Sequence, residues 1–414
     1  MMRSTIRSFS TFSHPARLLM VNQFGINAGF YMLMPFLAAH LSSGLGLAGA
    51  VVGFLLGLRN FSQQGMFAVG GALTDRFGPR PLIIAGCALR VAGFACLGLS
   101  QSLPGLLAGV LLVGGAGALF NPAVRTYLAE EAGERRVEAF ACFNVFFQAG
   151  MLVGPVAGLA LTAWDFTASA LGAAAIFAVL TLLQLAFLPG RDDSRDGGRE
   201  TVPWKAMARN RAYVAFTAVM AAVYLLNFQV YLAYPLALRD AGWDGTALAT
   251  ATAALFAVFG AVTIAFQVPL SGWCRRRLGG GATMTAGIVL LSGSFLVPPL
   301  LSTTDLGAAG TFAGVLASGV ALTLATAMVF PVEMDTVVAL SGGRSVGRHY
   351  GVYQTVGGIG ITAGNMVGGQ VLDAWGTTAM WLCFAGIGAL ASAGMALLVS
   401  RGAIPLRERE PVAV

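Results

Sequence analysis

An all-α membrane protein, with twelve transmembrane helices in two six-helix pseudo-symmetric halves, is the fold class that the sequence predicts. Three observations predict it. Long apolar stretches recur through the whole chain, the cations gather on one side of them, and motifs of the first half return in the second at the same spacing.

The first observation sets the number of elements. Hydrophobic residues make up 57% of the chain and charged residues 10%, a balance that excludes an ordinary soluble domain. Crossing about 30 Å of hydrocarbon takes roughly 20 apolar helical residues. Stretches of that kind fall near 16–41, 47–73, 81–100, 104–129, 137–163, 168–188, 212–238, 246–273, 281–302, 306–332 or beyond, 347–373 and 376–400. The opening MMRSTIRSFSTFSHPARLL precedes an apolar run too long for a signal peptide and without a convincing cleavage site, so it reads as an uncleaved first span. Cys87, Cys96, Cys142, Cys274 and Cys383 lie in or at spans without paired spacing, which predicts free thiols and no metal site.

The second observation orients the chain. With the N-terminus inside, the segments between spans place Arg3, Arg7, Arg17, Arg76, Arg80, Arg135, Arg136, the 191–211 cations, Arg275 to Arg277, Arg344, Arg348, Arg401, Arg407 and Arg409 on the inner side, against Arg239 alone on the outer side. The positive-inside rule then puts both termini in the cytoplasm. The net charge of +7 is a topology signal, and no nucleic-acid partner is expected.

The third observation divides the chain. PGRDDSRDGGRETVPWKAMARNR, residues 189–211, is the one long polar segment, leaving six-span halves at 1–188 and 212–414. Asn27, Tyr31 and Pro35 of the first span recur as Asn227, Tyr231 and Pro235 of the seventh, and Gly150, Gly154 and Gly158 of the fifth as Gly360, Gly364 and Gly368 of the eleventh. Such duplication marks internal structural repeats. The 55 glycines suit close helix approach in lipid.

Between spans 2 and 3 stands GGALTDRFGPRP, in which Gly71, Leu73, Asp75, Arg76, Gly78 and Arg80 resemble the G-x-L-A-D-R-x-G-R-K motif of the major facilitator superfamily. Pro79 departs from that pattern. Asp75 is expected just before the N-terminus of span 3, where the helix dipole favours an anion, with Arg76, Arg80 or a neighbouring lobe as partner. The second-half counterpart, GWCRRRLGG, keeps Gly272 and Gly279 but has Arg276 where Asp75 would align, so the relay is one-sided. At the end of span 4, RTYLAEEAGERR resembles the family's acid-then-basic exit. Glu130 is the expected latch to the span 2–3 loop, with Glu131 and Glu134 solvated. In span 5, GMLVGPVAG is similar to the G-x-x-x-G-P-x-x-G motif of the family's antiporter branches. Gly150, Gly154 and Gly158 share a face there, and Pro155 lacks an amide donor and can bend the helix. GLRNFSQQGMFAVGGALTDRFG, LRVAGFACLG and ALFNPAVR together resemble the MdtH-like group of multidrug exporters, closely in the first half and thinly in the second. That group carries an acid beside Asn22, where this chain has Val21.

Arg59, within the apolar second span, requires a reason, because a charge at that depth is costly and marks function by default. Gln63 lies one turn away, and Asn60 and Gln64 add polar surface. Arg59 is read as counter-ion to a coupling carboxylate, contact for an anionic substrate group, or a tie to backbone carbonyls. Arg90, in a span that is peripheral in the family, is read as structural. Glu333 and Asp335 are the conspicuous acids. They fall near the inner end of span 10 if that helix reaches about Leu340, and they point about 200° apart. One of them is expected to be the proton-coupling site, with Arg59 holding it ionised if the two groups approach; the alternative leaves both acids in water. Burial opposes ionisation and a nearby cation favours it.

The resemblance implies a secondary transporter of the bacterial inner membrane that exports amphiphilic drugs or metabolites in exchange for protons by alternating access. Its expected cavity is lined by Asn22, Asn27, Tyr31, Arg59, Gln63, Asn227 and Tyr231. A transporter of one specific, anionic or other, metabolite is the alternative. An enzyme is disfavoured because His14, His40 and His349 are the only histidines and no nucleophile–base pattern accompanies them. The expected partners are a small-molecule substrate, protons and lipid, with no cofactor and a monomeric chain.

Overall fold

The computed structural model describes residues 7–162, 165–190, 202–302 and 307–405, and these are helical almost throughout. Residues 191–201 of the polar segment, together with Arg3, Arg407 and Arg409, lie outside the described residues. Span 1 is His14–Ala39, opened by Ser13, whose hydroxyl accepts from the Ala16 amide at 3.4 Å, with proline in the first turn. Span 3 is Pro79–Leu99, span 4 Leu103–Ala132, span 5 Arg136–Thr162 and span 6 Phe166–Phe187. After a short helix, Trp204–Arg209, span 7 begins at Arg211. Spans 8, 9 and 10 are Gly245–Arg277, Gly279–Ser294 with Val297–Ser302, and Gly307–Leu340. Spans 11 and 12 share the stretch Val346–Ser400, interrupted at Gly376 by a φ of 80°.

Eight of the described stretches are long and apolar enough to cross a membrane, and two of them, Leu103–Leu161 at 59 residues and Val346–Ser400 at 55, hold two crossings each. Spans 1 and 2 complete the twelve. Span 1 carries buried amides at Asn22, Gln23 and Asn27. Span 10 is the most enclosed, with 61% of its most apolar window buried, against 33% for span 6. Large apolar side chains such as Val156, Leu182, Ile359 and Leu390 are left exposed, as lipid-facing positions are.

Three expected spans are broken, span 9 at Phe295–Leu296 between the two segments given above. Span 2 is Gly49–Gln64 followed by Phe67–Phe77. At the break the Thr355 hydroxyl donates to the Gln64 carbonyl at 3.1 Å and accepts from the Ala68 amide at 3.2 Å. It thus stands in for the helical bond between those two residues, the kind of insertion that kinks a helix. Span 7 is Arg211–Asn227, a 3₁₀ turn at Phe228–Tyr231, and Ala233–Asp240. Span 1, its counterpart in the repeat, runs unbroken.

The chain forms two compact units. One runs to Val202 and takes in Ser341–Thr355; the other holds Pro203–Leu340 and continues from Val356. The division at 189–211 had counted Ser341–Thr355 with the second half. By its contacts that stretch groups with the first six spans, and the Asp75 contact described below is one of them.

Within the first unit, spans 5 and 1 meet along the glycine face. A Cβ at Gly150, Gly154 or Gly158 would lie 2.3, 2.7 or 2.0 Å from the carbonyl oxygens of Phe24, Ala28 and Met32. Only glycine permits that approach. In the second unit Gly360 packs on Ala221 and Gly364 on Leu225. By the repeat, Ala221 and Leu225 correspond to positions 21 and 25, so this seam is displaced by three residues, close to one helical turn. The 3₁₀ turn of span 7 accompanies the displacement.

Candidate transport site

Arg59 is half-buried near the end of the first segment of span 2. Its guanidinium donates to the Asn60 Oδ1 at 2.7 Å and to the Gln63 Oε1, and lies 4.5 Å from the centre of the Phe30 ring. Gln63 is therefore brought to Arg59 as the one-turn spacing predicts. Tyr31 packs edge-on against Phe30 at 5.1 Å. Arg90 points into the same core. It is 5% exposed, and its guanidinium faces Phe177 at 5.1 Å, Phe30 at 5.6 Å and Phe120 at 5.9 Å. Both arginines thus share Phe30, an arrangement that the sequence did not suggest. Asn22 is fully buried with neither amide atom hydrogen-bonded, while Asn27 donates back to the Gln23 carbonyl at 2.9 Å.

Asp75 corrects the expectation about the span 2–3 motif. It lies in the last turn of Phe67–Phe77, ahead of Pro79 at the start of span 3, and is buried, but its carboxylate does not cap that helix. Its two oxygens accept from the amides of Gly347 at 2.8 Å and Arg348 at 2.9 Å, the first turn of span 11. Those amides have no helical acceptor and carry the positive end of the dipole, so a carboxylate there is stabilised twice over. The Arg348 Nε stands 3.9 Å from the same carboxylate. Gly71 permits the approach, since a Cβ there would meet the Gly347 carbonyl oxygen at 2.1 Å. Gly78 makes the turn into span 3 with φ of 83°. Val202 fastens the same end, its amide donating to the Ser345 hydroxyl at 2.8 Å and its carbonyl accepting from Arg348 at 2.9 Å. Arg76 is exposed over the Phe77 ring, and Arg80 donates to the Leu185 carbonyl at 3.2 Å.

At the exit of span 4, Glu130 is exposed. Glu131, expected in solvent, instead is half-buried and accepts from the Ser13 hydroxyl at 2.6 Å, because the start of span 1 folds against this end. Span 5 runs as one helix through Pro155.

In the second unit, Gly307–Leu340 extends span 10 to the length that the acids required. Glu333 and Asp335 are 4% and 7% exposed, so the reading that leaves both in water does not hold. Glu333 accepts from the Tyr224 hydroxyl of span 7 at 3.1 Å. Asn227 accepts from the Thr326 hydroxyl at 3.2 Å, and Tyr231, 48% exposed, stacks on Phe256 at 5.2 Å. Asn227 caps the start of the 3₁₀ turn and Tyr231 is its last residue, and the sequence pattern did not reveal that turn.

Arg125 was missed. It contacts the Asn121 carbonyl at 3.1 Å and, with the Gln354 amide turned to face it, donates through Nε and Nη1 at 3.0 and 2.9 Å. The argument that singled out Arg59, a cation within an apolar helix, applies equally to Arg125.

A helical membrane protein of twelve spans, with a carboxylate clamp at the span 2–3 turn and glycine seams in both units, is built as a transporter is. The chain belongs to the major facilitator superfamily, whose model matches residues 19–316. It is 47% identical, over 88% of each chain, to an uncharacterized MFS-type transporter of Mycobacterium tuberculosis. It is 25% identical to the multidrug resistance protein MdtH of Salmonella newport, over 95% of this chain and 96% of that one. Among solved structures, the human organic anion transporter MFSD10 has the same fold, with a TM-score of 0.70 and 16% identity over 92% of this chain and 98% of that one. The protein is accordingly a multi-pass membrane transporter and not an enzyme.

Proposed function

We propose that this protein exports amphiphilic drugs or metabolites in exchange for protons by alternating access. The observation that carries the reading is the pair of buried carboxylates in span 10, Glu333 and Asp335. A carboxylate taken out of water is stable only when it is paired, hydrogen-bonded or protonated, and an ionisable group inside a transporter span is by default a candidate for function. The Tyr224 hydroxyl on Glu333 links that acid to span 7. Export is supported by the span 5 glycine–proline face packed on span 1 and by the similarity to a multidrug resistance protein. In this reading Asn22, Asn27, Tyr31, Arg59, Gln63, Asn227 and Tyr231 serve the substrate. Asp75 with Gly71, Arg76, Gly78, Arg80 and Glu130 governs the balance between conformations, together with Gly150, Gly154, Pro155 and Gly158.

The chain works as a monomer in a bacterial inner membrane, with both termini and the 189–211 segment on the cytoplasmic side. Arg195→Cys in a variant lacking the native cysteines is expected to resist impermeant thiol reagents in intact cells, and labelling from outside would overturn that topology.

The functional test is a substrate screen in proteoliposomes under an imposed pH gradient. Several structurally unrelated amphiphiles should accumulate against their gradients, and collapsing the pH gradient should abolish accumulation. Transport of a single compound would favour the second reading, a transporter of one metabolite. The directional hold of Asn60 and Gln63 on Arg59 is the observation on its side.

A further inference from the structure

We propose that Arg59 and Arg90, with Phe30 between their helices, form a subsite for the anionic group of an aromatic amphiphile, a carboxylate or sulfonate. The inference deepens the transport reading above and rests on it for the route by which the ligand arrives.

Charge is the first ground. Arg59 is held by two neutral amides, which orient its fork without neutralising it. Its Nε is buried and has no acceptor. Arg90 is more isolated still. It is 5% exposed, donates no hydrogen bond to any described residue, and has a buried Nε without a partner. Neither arginine forms an ion pair among the described residues. The described acids of this unit are engaged elsewhere or lie at the ends of spans: Asp75 on Gly347 and Arg348, Glu131 on Ser13, Glu138 on Arg135 at 2.9 Å, Glu130 and Glu134 at the exposed exit of span 4, and Asp165 at the start of span 6. Both guanidinium groups lie within reach of the one Phe30 ring, at 4.5 and 5.6 Å from its centre.

Aromatic faces compensate only in part for a buried, unneutralised guanidinium. Negative charge arriving from outside would complete the arrangement. A planar, multi-oxygen anion suits it, because guanidinium presents a fork of donors that such groups accept in pairs. Shape and composition supply the second ground. Phe30, Phe120 and Phe177 surround Arg90, and Phe94 stacks on Phe177 at 5.3 Å. A ligand with an aromatic body beside its anionic head would match both features. Arg59, the less buried of the two, is the first contact, and Arg90 is the deeper one.

The test uses the full chain in nanodiscs, with binding measured by calorimetry. The probes are naphthalene-2-sulfonate and, as the oppositely charged body of similar size, 2-naphthylmethylammonium. The sulfonate should bind and the ammonium should not. Arg59→Gln and Arg90→Gln should each weaken sulfonate binding at least tenfold, with Arg59→Lys intermediate, while Arg239→Gln, which removes an exposed cation of the other unit, leaves it unchanged. If Arg90→Gln does not yield folded protein, the Arg59 series decides alone. Equal binding of the two probes, or unaltered sulfonate binding in Arg59→Gln, would overturn the proposal. Nanodiscs with and without phosphatidylglycerol separate a soluble anion from a lipid headgroup. Sulfonate binding that vanishes whenever the anionic lipid is present would assign the arginines to lipid and overturn it too. Because binding is read without a proton gradient, failure of proton coupling leaves these outcomes distinct.

Discussion

The two units share a plan and differ in what they bury. Both pack a glycine-lined helix against the helix that opens the unit, span 5 on span 1 and span 11 on span 7. The first unit then places two arginines among phenylalanines, whereas the second buries two carboxylates in span 10. The first has its broken helix bridged by a threonine hydroxyl, whereas the second breaks in a 3₁₀ turn. The difference teaches that duplication preserved the packing and left the polar chemistry free to diverge. Ligand recognition and proton handling need not be built twice. In this account the first unit recognises substrate charge and the second handles the proton.

The largest expected effect sharpens the contrast between the seams. At Gly158 an added Cβ would sit 2.0 Å from backbone, at the Met32 carbonyl, whereas at Gly368 it would meet the tip of the Phe384 ring at 2.8 Å. Backbone cannot yield and a ring can. Gly158→Ala is expected to destabilise by about 3 kcal/mol or more and Gly368→Ala by roughly 1 kcal/mol, as read from thermal unfolding of the purified chain. Equal losses would mean that the seams are equivalent after all.

Next comes the clamp, which the first unit has through Asp75 and which the Arg276 segment cannot reproduce. Asp75→Asn keeps the shape but removes the charge, leaving one of two buried amides facing a donor. The expected loss is about 1–3 kcal/mol at that contact, with folded protein, retained substrate binding and transport at least tenfold slower. Unimpaired transport would remove the clamp from the mechanism. The smallest effect belongs to the bridged break. Thr355→Val deletes the hydroxyl that joins Gln64 to Ala68 at nearly constant volume, and should slow transport by roughly tenfold or less without loss of folded protein. No change in rate would make the bridge ornamental to the cycle.

The helical spans and the glycine approach of span 5 to span 1 were legible because they follow from hydropathy and from spacing, which are local. The extension of span 10 to Leu340 was legible for the same reason. What escaped was made by contacts between distant residues. Thr355 breaks span 2 from 287 residues away, and no local feature of GLRNFSQQGMF reports it beyond Gly65. The destination of the Asp75 carboxylate, 272 residues on at Gly347, was invisible for the same reason. Arg90 was set aside because its span is peripheral in the family, yet its side chain is long enough to reach the core and meet Phe30 there. Arg125 needed only the rule already applied to Arg59.

Proton exchange through span 10 separates uphill transport from passive exchange. In proteoliposomes, uphill accumulation of a transported amphiphile under a pH gradient is compared with its exchange across the bilayer without one, for the parent chain, Glu333→Gln, Asp335→Asn and the double variant. The parent should do both, and at least one single variant and the double variant should lose accumulation while retaining exchange. If the double variant still concentrates substrate as the parent does, the proton does not travel through span 10.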